Sequence, residues 1–164
     1  MLLKIKFVVL FLAIHFISAA QSTPVKLNGV YFEIAGVGGG NSINYERRFI
    51  LKDSTLRIAA RVGLNIYNIT DFENSFNPNL VIPFMPTLLI GQTHNAEIGI
   101  GQSFASVVKT DAGDSYRDND LYTIFNVGYR YQKNLFLFRV GYTPILSYQG
   151  EYKNWFGMSF GVNF

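Results

Sequence analysis

Apolar and polar residues alternate with a period of two over most of the chain, the pattern of strands that present one face to each of two environments. Leu56, Ile58, Ala60, Val62, Leu64 and Ile66 share one face of such a strand; Arg57, Ala59, Arg61, Gly63, Asn65 and Tyr67 share the other. The alternation recurs at 29–37, 42–50, 55–67, 80–91, 96–104, 121–131, 135–143 and 155–164, which predicts eight strands. Each is close to the 9–11 residues that a tilted strand needs to cross a membrane. The last segment, WFGMSFGVNF, sets Phe156, Met158, Phe160, Val162 and Phe164 against Gly157, Ser159, Gly161 and Asn163.

The connections sort into two kinds. LKDS, QTHN and QKN are tight polar turns, whereas NITDFENSFNPN, ASVVKTDAGDSYRDND and PILSYQGEYKN are long, and a short GGGN follows the first strand. Apart from that first one, short and long connections alternate. Outer-membrane barrels have this arrangement, with short periplasmic turns and longer extracellular loops.

The polar face decides between two barrel classes. By parity it collects Glu33, Glu46 and Glu97 with Arg48, Arg57, Arg61, Arg130 and Arg139. A soluble barrel that holds a ligand lines its interior mainly with apolar groups. A barrel in lipid must turn its charges inward, because Arg or Lys facing lipid at midplane costs about 2–4 kcal/mol. The expected fold is therefore an all-β, eight-stranded, antiparallel up-and-down transmembrane barrel. Eight strands leave an interior just wide enough for side chains, so the acids and arginines are expected to interlock as a plug; the other reading is a small pore. Pro83 and Pro86 each remove a ladder donor from the fourth strand and predict a bulge there. Arg47 falls on the apolar face near a short turn, where a long side chain reaches headgroups.

The start of the chain changes the bulk picture. Lys4 and Lys6, an apolar run from Phe7 to Ile17 and then Ser18-Ala19-Ala20 form a secretory signal peptide over 1–20, leaving 21–164 as the barrel domain. The run is shorter than the roughly 18 residues of a spanning helix. The sequence has 14 Lys+Arg and 11 Asp+Glu. Losing two lysines with the signal brings the mature chain close to neutrality, so general basicity gives no reason to expect nucleic-acid binding. There is no cysteine, hence no disulfide framework and no lipid-attachment cysteine.

The signal peptide, eight amphipathic strands and terminal aromatic strand resemble the small outer-membrane β-barrel proteins of Gram-negative bacteria, the OmpA/OmpX-like group. NGVYFEIAGVGGGNSINYERRF, followed by LRIAARVGL, is similar more narrowly to Bacteroidetes-type outer-membrane barrels. The resemblance covers the whole mature chain and implies a place in the bacterial outer membrane, among its lipids. It also implies that Phe156, Phe160 and Phe164 form a C-terminal signal read by the barrel-assembly machinery. The role implied is structural, or an interaction of the outer loops with an unidentified extracellular ligand or surface.

Other chemistry finds little support. Some eight-stranded barrels are lipid-modifying enzymes in which a serine is activated by an adjacent base. Here His15 goes with the signal and His94 lies in an expected periplasmic turn, so no catalytic residue, metal ligand or cofactor is assigned. Asp111, Asp114, Asp118 and Asp120 crowd the longest loop without the spacing of a calcium loop. GVGGG has no following helix and reads as a tight hairpin, not a phosphate cradle. Tyr152 and Trp155 are expected at the outer headgroup boundary.

Overall fold

The computed structural model describes residues 26–52, 55–70, 76–111, 114–148 and 150–164. The expected signal peptide over 1–20 lies outside them. The strands are β1 (Asn28–Ala35), β2 (Asn41–Lys52), β3 (Leu56–Tyr67), β4 (Asn79–Gly91), β5 (His94–Asp111), β6 (Asp114–Lys133), β7 (Phe136–Tyr142), β8 (Ile145–Ser147), β9 (Tyr152–Lys153) and β10 (Phe156–Asn163), with one 3-10 turn, η1 (Gly36–Gly38). Neighbours pair antiparallel from β1 through β7, β7 pairs with β10, and β10 returns to β1. The wall is a closed eight-stranded barrel, and closure removes the free sheet edges. At the seam, Asn28 and Phe164 exchange both backbone hydrogen bonds at 3.0 Å.

Faces alternate as the period of two requires. Phe32, Ile43, Ile58, Val62, Ile98, Ile100, Val127, Val140 and Phe160 point outward and are 38–64 % exposed. Glu46, Arg61, Glu97 and Arg130 point inward and are 0–1 % exposed. The molecule is therefore apolar outside and charged inside, the reverse of a soluble protein.

β4 corrects the expected bulge. Its register with both neighbours is continuous across the prolines. Pairing with β3 lapses at Ile82 and Pro83, and pairing with β5 lapses at Met85 and Pro86. Two prolines of opposite parity each lose one N–H, on opposite edges of the strand, so each ladder lapses over two residue pairs without shifting. The irregularity falls instead in β2, between Ile50 and Lys52, beside a short turn.

Three of the expected loops differ from expectation. Most of ASVVKTDAGDSYRDND is strand, because β5 and β6 stay paired out to Asp111 and Asp114. PILSYQGEYKN contains β8 and β9: β8 continues the line of β7 along β6 after Pro144, and β9 pairs with it. GVGGG turns into the barrel as η1 instead of forming a plain hairpin, and Gly36, Val37 and Gly38 are buried.

Candidate functional site: the barrel interior and its two closures

The interior is stacked in layers from the short-turn end to the long-loop end. Arg48 and Arg57 occupy the short-turn end. Arg48 Nη2 donates to the Asn28 carbonyl at 2.7 Å and Nη1 to Gln132 Oε1 at 2.9 Å. Arg57 Nη2 donates to the Gly91 carbonyl at 2.9 Å, the Gln92 carbonyl at 3.2 Å and Asn95 Oδ1. These two guanidinium groups are held largely by backbone and side-chain amide oxygens. Arg48 has one longer contact with a carboxylate, 3.6 Å from Nε to Glu46 Oε1.

Three acids and three arginines fill the middle. Arg130 clasps Glu46 with two parallel bonds, 2.5 Å from Nη1 to Oε1 and 2.6 Å from Nη2 to Oε2. Such a bidentate fork is the strong form of the contact. Arg130 Nε also donates to Glu97 Oε1. Arg139 approaches the same carboxylate from β7, with Nη2 2.9 Å and Nε 3.0 Å from Oε2. Its guanidinium carbon lies 4.9 Å from the centre of the Tyr31 ring, a cation–π contact. Arg61 Nη1 donates to Glu33 Oε1 at 3.1 Å and to the Tyr31 hydroxyl at 3.3 Å. Ser42 and Ser159 turn their hydroxyls to Glu33 at 3.5 and 3.4 Å. Charge is balanced in this layer, which is how buried ions are tolerated. Arg61 Nε and Nη2, Thr87 Oγ1 and Ser103 Oγ have no protein partner in these layers, and groups of that kind are normally met by enclosed water.

The long-loop end is closed by η1. Val37 packs on Met85 and Ile124, with Ile145 against them, a small apolar cluster inside an otherwise polar barrel. Asn65 Nδ2 donates to the Gly38 carbonyl at 2.9 Å and ties the turn to β3. Glycine is required at two points. Gly36 has φ +75°, and a Cβ there would lie 2.6 Å from Glu33 Cδ; a Cβ on Gly157 would lie 2.7 Å from the Gly36 Cα.

Parity brings all eight sequence-predicted interior residues, Glu33, Glu46, Arg48, Arg57, Arg61, Glu97, Arg130 and Arg139, into this column of contacts. It also brings Tyr31, Asn95 and Gln132, which sequence reasoning passed over although they share faces with Glu33, Glu97 and Arg130. Val37 shares the parity of Glu33 in the expected 29–37 strand, but the strand ends at Ala35 and it is η1 that carries Val37 inward. Phe156, Phe160 and Phe164 face outward; the Phe160 ring is 5.2 Å from Phe138 and the Phe156 ring 5.1 Å from Tyr142. Arg47, on the outer face, donates to Asn28 Oδ1 at 2.8 Å.

His94 lies at the short-turn end, where its Nδ1 is 2.6 Å from the Tyr129 hydroxyl. Of the loop acids, Asp118 pairs with Lys109 and Asp120 accepts from the Tyr122 hydroxyl at 3.1 Å, while Asp111 and Asp114 face each other across the tip. The bond to Asp118 holds the Lys109 ammonium pKa above its ordinary value. Among the described residues, no three His, Asp or Glu side chains gather to hold a metal.

No protein-family model matches the chain, and no curated protein matches it by sequence. Solved structures do. The N-terminal β-barrel domain of Pseudomonas aeruginosa OprF superposes with a TM-score of 0.57 at 10 % identity, over 84 % of this chain and 95 % of that one. The Yersinia pestis outer membrane protein Ail, solved in a phospholipid bilayer nanodisc, gives 0.53 at 8 % identity, over 85 % of this chain and all of that one. The fold is thus that of the small eight-stranded outer-membrane β-barrels. At such low identity the likeness extends to the fold alone.

Proposed function

We propose that this protein spans the bacterial outer membrane as a barrel closed to transport, and that it acts structurally or through its outer hairpins. One observation carries the reading: a continuous apolar outer band encloses a column of buried ion pairs. In water that band would be an exposed patch far beyond what a soluble monomer shows. In lipid it is the ordinary outer surface of a barrel, and the charges are where their cost is lowest. The short turns then face the periplasm and the hairpins face outward.

The closed interior supports a plug over a pore. Guanidinium groups reach across the barrel at the short-turn end and in the middle, and η1 covers the other mouth. A surface role is supported by the β5–β6 hairpin. It runs five residues past Ser106, the last residue of β5 in register with β4; at about 3.3 Å per residue that is a projection of about 17 Å. Phe164, at the end of the closing strand, faces outward and serves as the mark for the assembly machinery.

Expression with the native leader in a Gram-negative host tests this. The protein should fractionate with the outer membrane and change electrophoretic mobility when boiled, as a detergent-resistant barrel does. Recovery as a soluble periplasmic protein would overturn the reading.

A further inference from the structure

Beside η1 the barrel wall parts. The register between β2 and β3 begins at Ile43 and Leu64. β3 runs on to Tyr67, and Asn65, Ile66 and Tyr67 pair with β4. The segment between β1 and β2 has turned inward to close the mouth, so it no longer flanks this stretch of β3. The consequence is a groove of about 860 Å³ between residues 38–43 and 64–67. That volume lies within the roughly 300–1,000 Å³ of small-molecule sites.

The two sides of the groove differ chemically. Phe32, Ile43, Leu64 and Ile66 belong to the exposed outer band and make one side. The other is the backbone of 39–42 together with Asn65, whose amide is occupied by Gly38. Its lining contains no acidic or basic side chain. There is open room at the polar side, since a Cβ added to Gly39 would meet nothing within 4 Å.

We propose that this groove holds one aliphatic chain of a membrane amphiphile. The inference rests on the reading of the outer band as lipid-facing, and it names a particular site on that band. The chain lies along Phe32, Ile43, Leu64 and Ile66, and an uncharged polar linkage, an ester, amide or hydroxyl, meets the backbone of 39–42. A phosphate head is not what the groove recognises, because no Arg or Lys lines it to supply the charge-assisted bonds that phosphate favours. The occupant is a bilayer amphiphile because the groove opens sideways onto the outer band and is continuous with it.

The test uses the whole protein in phosphatidylcholine nanodiscs containing a low fraction of monopalmitoyl glycerol with a photoreactive diazirine in its chain. After irradiation, adducts are mapped by mass spectrometry. Adducts should concentrate severalfold at the groove over the equally exposed Ile98, Ile100 and Val127, and excess unlabelled monopalmitoyl glycerol should remove the difference. Gly40→Trp should remove it too while the heat-dependent mobility shift persists; a Cβ there is 3.5 Å from Asn65 Nδ2, an ordinary contact. If that variant does not fold, competition on the unaltered protein decides alone. Adducts spread evenly over the band, or enrichment that does not saturate, would overturn the groove and leave the membrane barrel standing. Protein that never enters the nanodisc would overturn both.

Discussion

Glu97 accepts hydrogen bonds from Arg130 on one side and Arg139 on the other, and Asn126 Nδ2 approaches its Oε2 at 3.4 Å. Removing that carboxylate leaves two buried guanidinium groups short of a partner, a loss of about 3–5 kcal/mol for a buried pair. Glu97→Ala is therefore expected to lower the unfolding midpoint in urea sharply. Glu151→Ala, in the exposed outer hairpin, should leave it in place. Equal shifts for the two would mean that the interior contacts contribute nothing distinctive. A second residue-scale expectation concerns the hairpin. Lys109 has a raised pKa because its ammonium donates a hydrogen bond to Asp118. The pairing is thus fully present below the ordinary lysine pKa and is lost as pH climbs through the raised one. Asp118→Asn should return Lys109 to ordinary titration, read by side-chain NMR; an unchanged curve would mean the pair does not form in solution.

At the scale of strands, what was legible in the sequence was legible through parity. Leu56, Ile58 and Val62 against Arg57 and Arg61 fix which face is which, because a one-residue slip would exchange every side chain between the two. Parity fails where the environment stops differing between faces. At Ala105 and Ser106 both faces are buried, and from Lys109 on both are exposed, so 105–111 shows no period and reads as loop, although the β6 ladder continues to hold it. η1 was hidden for another reason: its burial is created by Met85 and Ile124 on distant strands, and a run of glycines says nothing about what will surround it. Pro83 and Pro86 predict a bulge that β4 does not have; their opposite parity puts the missing donors on opposite edges, where each ladder lapses without shifting. The outer part of the β5–β6 hairpin is tied to 77–79 by Val108 N on Asn79 Oδ1 and by Arg117 on Asn77 and Pro78, outside the wall's ladders. Replacing 107–118 with an Asn-Gly turn keeps the Ser106–Asn119 register and should leave the heat-dependent mobility shift intact. Failure of that variant to form the compact band would mean the hairpin is needed for assembly. For β10, deleting Phe164 should leave unfolded protein in the periplasm, whereas Asn163→Ser, on the inward face, should insert. Pulse-labelled cells showing normal insertion of the Phe164 deletion would remove that residue's role as an assembly mark.

For the molecule as a whole, the proposed plug makes conduction a clear test. The arginine–carboxylate layers cross the middle and short-turn end, and η1 crosses the long-loop end. Purified protein in planar bilayers should show no steady open channel. Long-lived conductance steps from the monomer would make a water-filled path the better description. The seam between Asn28 and Phe164 has a kinetic consequence. Its two partners come from opposite ends of the described chain, so the most non-local contact in the fold is also the one that completes it. Until β10 closes on β1, each strand presents an unsatisfied edge, open to pairing with any other chain nearby. Closure is therefore a race between an intramolecular step of high contact order and intermolecular strand addition. The outcome depends on how many unfinished chains share the compartment, so a rising rate of synthesis should cost yield before anything about the finished barrel changes.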